Sequence, residues 1–216
     1  MDIDLLLTIL EYVGTIAFAI SGALLAIENK MDILGVMILG CTTAVGGGLF
    51  RDILIGRPMP LMFENPTYVI VACLTTLVVF ITMSILHNFK MVESKSYKIA
   101  YTLIDSLGLG VFVVVGVKLT RDFGITNPFL IIFSSVLTAV GGGLLRDIMS
   151  ARIPAIFRKH IYCVAAIVGS LLFYSITYYT NLYPLASILS ILIVVGIRYL
   201  AFYFKWNLPK VKINEE

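Results

Sequence analysis

Seven long apolar runs alternate with short polar segments along the chain. Each run has about 20 residues, enough for a helix rising ~1.5 Å per residue to cross ~30 Å of hydrocarbon. None shows the residue-by-residue alternation of a membrane β-barrel strand. The pattern predicts an all-α integral membrane protein with seven transmembrane helices, at about Leu5–Ile27, Ile33–Ile55, Thr67–Leu86, Tyr97–Leu119, Phe129–Met149, Ile161–Tyr179 and Pro184–Phe204.

The composition is typical of a protein dissolved in lipid. Hydrophobic residues make up 59% of the 216 residues and charged residues 13%, about half the charged fraction of a soluble domain. Seven spans leave only short connections, so we expect a single membrane domain over residues 1–216. The acidic N-terminal segment 1–4 lacks the basic region of a cleavable signal, so the first run should remain as a helix.

The basic residues are unequally divided between the two sides of the membrane. The side that contains the N-terminus carries four Lys or Arg residues, the other side carries eleven, and Arg198 is left inside the last run. Basic loops are retained in the cytoplasm. We therefore expect an outside N-terminus and a cytoplasmic C-terminus.

One eleven-residue segment occurs twice. Thr43–Ile53 and Thr138–Ile148 are identical at ten of eleven positions, 95 residues apart, and Phe18–Gly22 weakly resembles Phe112–Gly116. The chain therefore contains a duplicated unit of three spans, which we place at 1–90 and 97–180, followed by a seventh helix at 183–205. Because three crossings end on the opposite side, the second copy should be inverted relative to the first, an arrangement common in transporters and channels.

Each copy contains three consecutive glycines, which are Gly46, Gly47 and Gly48 in the first and Gly141, Gly142 and Gly143 in the second. Consecutive glycines weaken a helix, and irregular backbone at membrane depth is tolerated where it lines a water-filled cavity. We therefore interpret them as hinges of a pore; the alternative is close helix packing through small residues. The hinge interpretation predicts that Gly47→Leu or Gly142→Leu reduces flux more than folded yield.

An Arg-Asp pair follows each triplet and lies within an apolar run. Charges at this depth usually face the protein interior or water; snorkelling to headgroups is the alternative. The adjacent Asp need not be the partner, since neighbouring side chains on a helix diverge by about 100°. Our candidate pore-lining polar residues are Arg51, Asp52, Arg146, Asp147, Asp105, Glu11, Thr43, Thr138 and Ser21. For Glu11 and Asp105 a hydrated interfacial position is the alternative.

No catalytic or cofactor motif accompanies these residues. The glycine triplet lacks the Lys-Ser/Thr ending of a phosphate loop, and the sequence contains no HExxH or nucleophile-elbow motif. His87 and His160 stand alone without a second ligand at metal spacing. We expect no enzyme activity, no metal site, no cofactor and no nucleic-acid partner.

The doubled GGGxxRD motif, the seven spans and the length resemble the prokaryotic branch of the trimeric intracellular cation channel family, whose bacterial members are also labelled glycine transporters. The resemblance covers essentially the whole chain. It implies a homotrimer in a prokaryotic plasma membrane, in contact with membrane lipids, with a pore in each protomer and glycine hinges in the second and fifth spans. It also implies conduction of monovalent cations, chiefly potassium.

Residue spacing alone does not distinguish a channel from a carrier. A channel needs a continuous wet path with weak sites, and a carrier needs a central site that closes alternately. Our leading hypothesis is a potassium-conducting cation channel. The alternatives are a secondary transporter of a small zwitterion such as glycine, and a membrane scaffold that transports nothing.

Overall fold

The computed structural model describes residues 3–86, 94–158 and 161–206. These ranges fold into seven long helices and two helices of a single turn. They are α1 (Ile3–Glu28), α2 (Ile33–Leu54), α3 (Leu61–Glu64), α4 (Thr67–Leu86), α5 (Lys95–Asp122), α6 (Pro128–Met149), α7 (Ala155–Arg158), α8 (Ile161–Tyr179) and α9 (Tyr183–Tyr203).

The seven long helices are those that the apolar runs predict. All are long and apolar enough to cross a membrane, and their ends lie within about one turn of the predicted bounds. The single-turn helices α3 and α7 were missed, because four residues are too few to show a helical period. His87 and His160 lie outside the described residues, so the expectation for them stays a prediction.

Polar caps fix where three of the long helices begin. The Asp32 carboxylate accepts a hydrogen bond from Gly35 N at 2.7 Å at the start of α2, and the Asn127 side chain accepts one from Leu130 N at 3.2 Å at the start of α6. Ser94 caps α5 in the same way. A side-chain oxygen at this position satisfies one of the free amides of the first turn.

Two sets of four helices follow the same order along the chain. The helices α2 and α6 both have 22 residues, and α3 and α7 both have four. Even the backbone after α2 and α6 is similar, since Gly56 and Ala151 both adopt positive φ, at 72° and 53°. The helix α9 follows the second set as an additional element.

The core lies where the two sets meet. The helix α2 packs along α6, and α1 packs along α5, while α4 and α8 lie on the outside of their own sets. The helix α9 covers α5 and α8. Phe18, Leu109 and Val113 are among the buried residues at the centre, so the two halves share one core.

Candidate functional site

Arg51 and Asp52 form an ion pair near the end of α2. Arg51 Nη2 lies 2.8 Å from Asp52 Oδ1, and Asp52 Oδ2 accepts a hydrogen bond at 2.8 Å from Leu61 N, the first residue of α3. Both side chains are buried. The adjacent aspartate is therefore the partner that the sequence left undetermined, and Arg51 does not snorkel to the surface.

Arg146 and Asp147 repeat this arrangement at the end of α6. Arg146 Nε lies 2.9 Å from Asp147 Oδ1, and Asp147 Oδ2 accepts a hydrogen bond at 2.7 Å from Ala155 N, the first residue of α7. Each aspartate thus neutralises its arginine with one oxygen and fixes a single-turn helix with the other. Burial of all four groups is possible because each charge has a charged partner.

Glu11 approaches the first ion pair from α1. Its side chain is 8% exposed, and the hydroxyl group of Tyr68 in α4 donates a hydrogen bond to Glu11 Oε2. Within the described ranges no Lys or Arg forms a salt bridge with this carboxylate. Glu11 is therefore a buried carboxylate whose charge has only a neutral hydrogen-bond donor. We call Glu11, Arg51, Asp52 and Tyr68 the Glu11 cluster.

Asp105 of α5 is surrounded by cations. Its Oδ1 lies 2.6 Å from Arg146 Nη1 and its Oδ2 lies 3.1 Å from Arg198 Nη2, while Ser21 of α1 donates to Oδ1 at 3.1 Å. Asp105 is 2% exposed, so its carboxylate is buried among these groups. We call Ser21, Asp105, Arg146, Asp147 and Arg198 the Asp105 cluster.

Sequence reasoning missed Arg198 and the two tyrosines. Arg198 was visible as a charge inside the last apolar run, and the structure places its guanidinium 4.3 Å from the ring centre of Tyr162. Tyr68 and Tyr162 begin α4 and α8 at equivalent positions of the two sets. Neither tyrosine belongs to the GGGxxRD segment. The sequence could have identified them only by their equivalent positions in the two repeats.

Each cluster borders its own cavity. The cavity at the Glu11 cluster measures about 50 Å³ and is also lined by Thr15, Gly48 and Phe112. The cavity at the Asp105 cluster measures about 590 Å³ and is also lined by Tyr101 and Arg152. The second cavity is therefore more than ten times as large as the first.

An aromatic pair lies between the two clusters. Phe18 follows Glu11 and precedes Ser21 on α1, and Phe112 follows Asp105 on α5 by two turns. Their ring centres are 5.2 Å apart. Each ring lies against a glycine of the opposite helix, because an added Cβ would come within 2.3 Å of the Phe18 ring at Gly108 and within 3.1 Å of the Phe112 ring at Gly14.

The glycine triplets lie where α2 and α6 are closest. A Cβ at Gly47 would stand 2.0 Å from the Thr138 carbonyl oxygen, and one at Gly142 would stand 2.1 Å from the Thr43 carbonyl oxygen. Both helices continue through the triplets without interruption. The structure therefore assigns Gly47 and Gly142 to close backbone packing; their action as hinges stays a prediction.

The outer glycines of the triplets have different neighbours. A Cβ at Gly46 or Gly141 would contact Leu145 or Phe50, the one position at which the repeated segments differ. Gly48 instead lines the smaller cavity, and a Cβ at Gly143 would stand 2.9 Å from the Tyr162 hydroxyl oxygen. Only the third glycine of each triplet therefore faces a polar cluster.

Thr43 and Thr138 do not join either cluster. Their hydroxyls donate to the carbonyl oxygens of Leu39 and Ser134, both at 2.6 Å, within their own helices. This is the common back-bonding of Thr in membrane helices. Where α2 and α6 cross, Thr43 and Thr138 instead contribute their main-chain carbonyl groups, which pack against Gly142 and Gly47 of the opposite helix.

A family model described as "Glycine transporter" matches the chain twice, over residues 8–84 and 102–178. The chain is 35% identical over 208 residues to the UPF0126 inner membrane protein YadS of Escherichia coli K12, covering 95% of this chain and 96% of YadS. It is also 35% identical to the UPF0126 membrane protein YvgT of Bacillus subtilis, covering 93% and 94% of the two chains.

Solved structures with the same fold are cation channels. A chain from a structural study of conductance through TRIC cation channels superposes with a TM-score of 0.82 at 35% identity, covering 97% of this chain and 98% of that chain. The trimeric intracellular cation channel orthologue from Rhodobacter sphaeroides gives 0.83 at 28%, with coverages of 93% and 99%. The predicted fold and the resemblance are thus confirmed: this multi-pass membrane protein belongs to the prokaryotic trimeric intracellular cation channel family.

Proposed function

We propose that the chain forms a channel for monovalent cations, mainly potassium, with a separate route through each protomer. The observation that carries this proposal is that each charged cluster borders a cavity, with Phe18 and Phe112 between the two clusters along α1 and α5. We infer that a route joining the two cavities passes these two rings.

The charges along this route favour cations over anions at the Glu11 cluster. Arg51 is neutralised by Asp52 at 2.8 Å, which leaves the Glu11 carboxylate as the unbalanced charge beside the cavity. A carboxylate in a narrow cavity attracts cations through a low-dielectric surrounding. The description of the structural neighbours as cation channels supports the same conclusion.

The orientation and assembly belong to the same proposal. From the excess of basic residues on the C-terminal side we infer that the Glu11 cluster faces the outside and the Asp105 cluster faces the cytoplasm. The repeats at 1–90 and 97–180 then face opposite sides, as an odd number of spans requires. We infer a homotrimer surrounded by plasma-membrane lipids, because the orthologue of the same fold is described as trimeric.

Reversal potentials in planar bilayers test this function. Purified protein recorded in asymmetric KCl should give single-channel currents that reverse close to the potassium equilibrium potential. Empty bilayers are the first control, and Glu11→Gln, which removes the unbalanced carboxylate, is the second. Currents that reverse at the chloride potential would contradict cation selectivity.

A secondary transporter of a small zwitterion is the alternative, and the "Glycine transporter" description of the family model favours it. A zwitterion needs an anion and a cation to bind to, and Glu11 and Arg51 line one cavity. Saturable uptake of labelled glycine into proteoliposomes, without single-channel currents, would identify this carrier. Absence of both uptake and currents would instead indicate the scaffold.

A further inference from the structure

Arg198 is a buried charge that the repeat does not supply. It belongs to α9, the helix after the two sets, and its side chain is 7% exposed. Arg198 lies in the last third of α9, and a charge buried within a membrane helix generally has a specific partner. The partner of Arg198 is Asp105, at 3.1 Å.

Asp105 shares the positive charge of Arg146 with Asp147, which lies 2.9 Å from Arg146 Nε. Asp105 Oδ1 receives Arg146 at 2.6 Å and Ser21 at 3.1 Å. Arg198 adds a second guanidinium on Oδ2, held also by Ser106 Oγ at 3.2 Å and by the Tyr162 ring. Arg198 therefore brings the buried cluster to neutrality, because without it Asp105, Arg146 and Asp147 would carry one net negative charge.

The two cavities consequently differ in charge. Among the described residues, one basic and two acidic side chains line the smaller cavity, and four basic and three acidic side chains line the larger. These are Arg51, Glu11 and Asp52 in the first, and Lys98, Arg146, Arg152, Arg198, Glu28, Asp105 and Asp147 in the second. Neutralising Arg198 would leave the buried groups Asp105, Arg146 and Asp147 with one net negative charge, as Glu11, Arg51 and Asp52 have at the smaller cavity.

We propose that Arg198 is a specificity-determining residue that weakens the attraction of the Asp105 cavity for cations and so makes the two mouths of the route electrostatically unequal. This inference rests on the proposed cation conduction. It gives α9 a function beyond packing: the helix brings a fixed positive charge to one mouth. Cations then enter more easily from the Glu11 mouth than from the Asp105 mouth.

The test compares three variants in planar bilayers with asymmetric KCl. Arg198→Gln should raise the ratio of potassium to chloride permeability by about threefold or more, because local potential controls ion concentration in a narrow cavity, and should reduce current rectification. Arg198→Lys should behave like the wild type. Arg152→Gln is the matched control, since Arg152 lines the same cavity but pairs with Glu28 at the exposed rim, where solvent screens its charge.

A structural role for Arg198 predicts different results. If Arg198→Gln and the apolar Arg198→Met both fail to fold while Arg198→Lys folds, Arg198 is required for assembly and the proposal is overturned. An unchanged permeability ratio in a folded Arg198→Gln channel, or an equal effect of Arg152→Gln, overturns it too. Absence of any cation current in the wild type is a separate result, which refutes the proposed function itself.

Discussion

Glu11 of α1 and Asp105 of α5 lie 94 residues apart at equivalent positions of the two repeats, yet Asp105 is held by two arginines and Glu11 by a tyrosine. The same carboxylate position therefore has two energetic roles. At Asp105 the negative charge stabilises buried cations of other helices. At Glu11 the negative charge lies beside a cavity, where it can attract a mobile cation.

Neutralising these two carboxylates should have opposite consequences. Asp105→Asn leaves Arg146 and Arg198 without a carboxylate between them, and an uncompensated buried charge costs about 3–5 kcal/mol. We expect loss of folded yield and of thermal stability in detergent. Glu11→Gln breaks no salt bridge, so it should fold normally while potassium conductance falls by about threefold or more. Equal stability of the two variants would contradict this distinction.

Substitutions within one glycine triplet should distinguish the glycine that packs against the opposite helix from the glycine that lines the smaller cavity. Gly47→Ala places a methyl group 2.0 Å from the Thr138 carbonyl oxygen, so α2 and α6 must move apart; overpacking of this kind costs about 1–3 kcal/mol. Gly48→Ala meets its nearest atom at 3.8 Å and should be neutral or stabilising, since Ala is the better helix former by about 1 kcal/mol. Thermal unfolding of both variants in detergent measures the difference.

This geometry revises what the glycines alone predict for larger side chains. The hinge interpretation expects Gly47→Leu and Gly142→Leu to lose flux while still folding. Because Gly47 and Gly142 each contact a carbonyl of the opposite helix, we now expect flux and folded yield to fall together. A folded, inactive Gly47→Leu protein would restore the hinge interpretation.

The fold could be predicted from the sequence because the two features that determine it are visible there. Apolar length sets each span, and the doubled segment around Arg51 and Arg146 sets the order of the two repeats. The partners of those arginines could not be predicted. Whether an arginine contacts the next residue depends on side-chain rotamers and on α3 and α7, whose backbone amides hold Asp52 and Asp147 in place.

The aromatic pair that lies between the clusters could not be predicted from the sequence either. Phe18 and Phe112 look like ordinary apolar residues of their spans, and only the approach of α1 to α5 brings their rings to 5.2 Å. Arg198 was visible as a lone charge, but nothing in the last run identifies Asp105 as its partner, because the two residues lie in helices far apart in the chain.

Removing one aromatic ring should open the route. Phe112→Ala deletes the ring that lines the smaller cavity, so we expect single-channel conductance or open probability to rise in bilayer recordings. The destabilisation from the lost ring, about 3–5 kcal/mol for a buried Phe, requires folded protein to be selected by size-exclusion chromatography first. Phe173→Ala, a buried phenylalanine of α8 in a different core cluster, is the matched control. Equal currents in both variants would exclude the rings as the closure.

The turn after α6 should be stabilised by a single substitution. Ala151 adopts φ of 53° and its amide donates to the Ile148 carbonyl oxygen at 2.9 Å, in the position where Gly56 follows α2 with φ of 72°. A left-handed conformation strains a residue with a Cβ, so Ala151→Gly should stabilise the protein by about 0.5–1 kcal/mol. That corresponds to a rise of about 2 °C in Tm for a chain of this size. Gly56→Ala should lower Tm by a similar amount, and since a Cβ there meets nothing within 4 Å, no steric clash contributes to the change. A higher Tm for Gly56→Ala would show that the lost flexibility of the unfolded chain outweighs this strain.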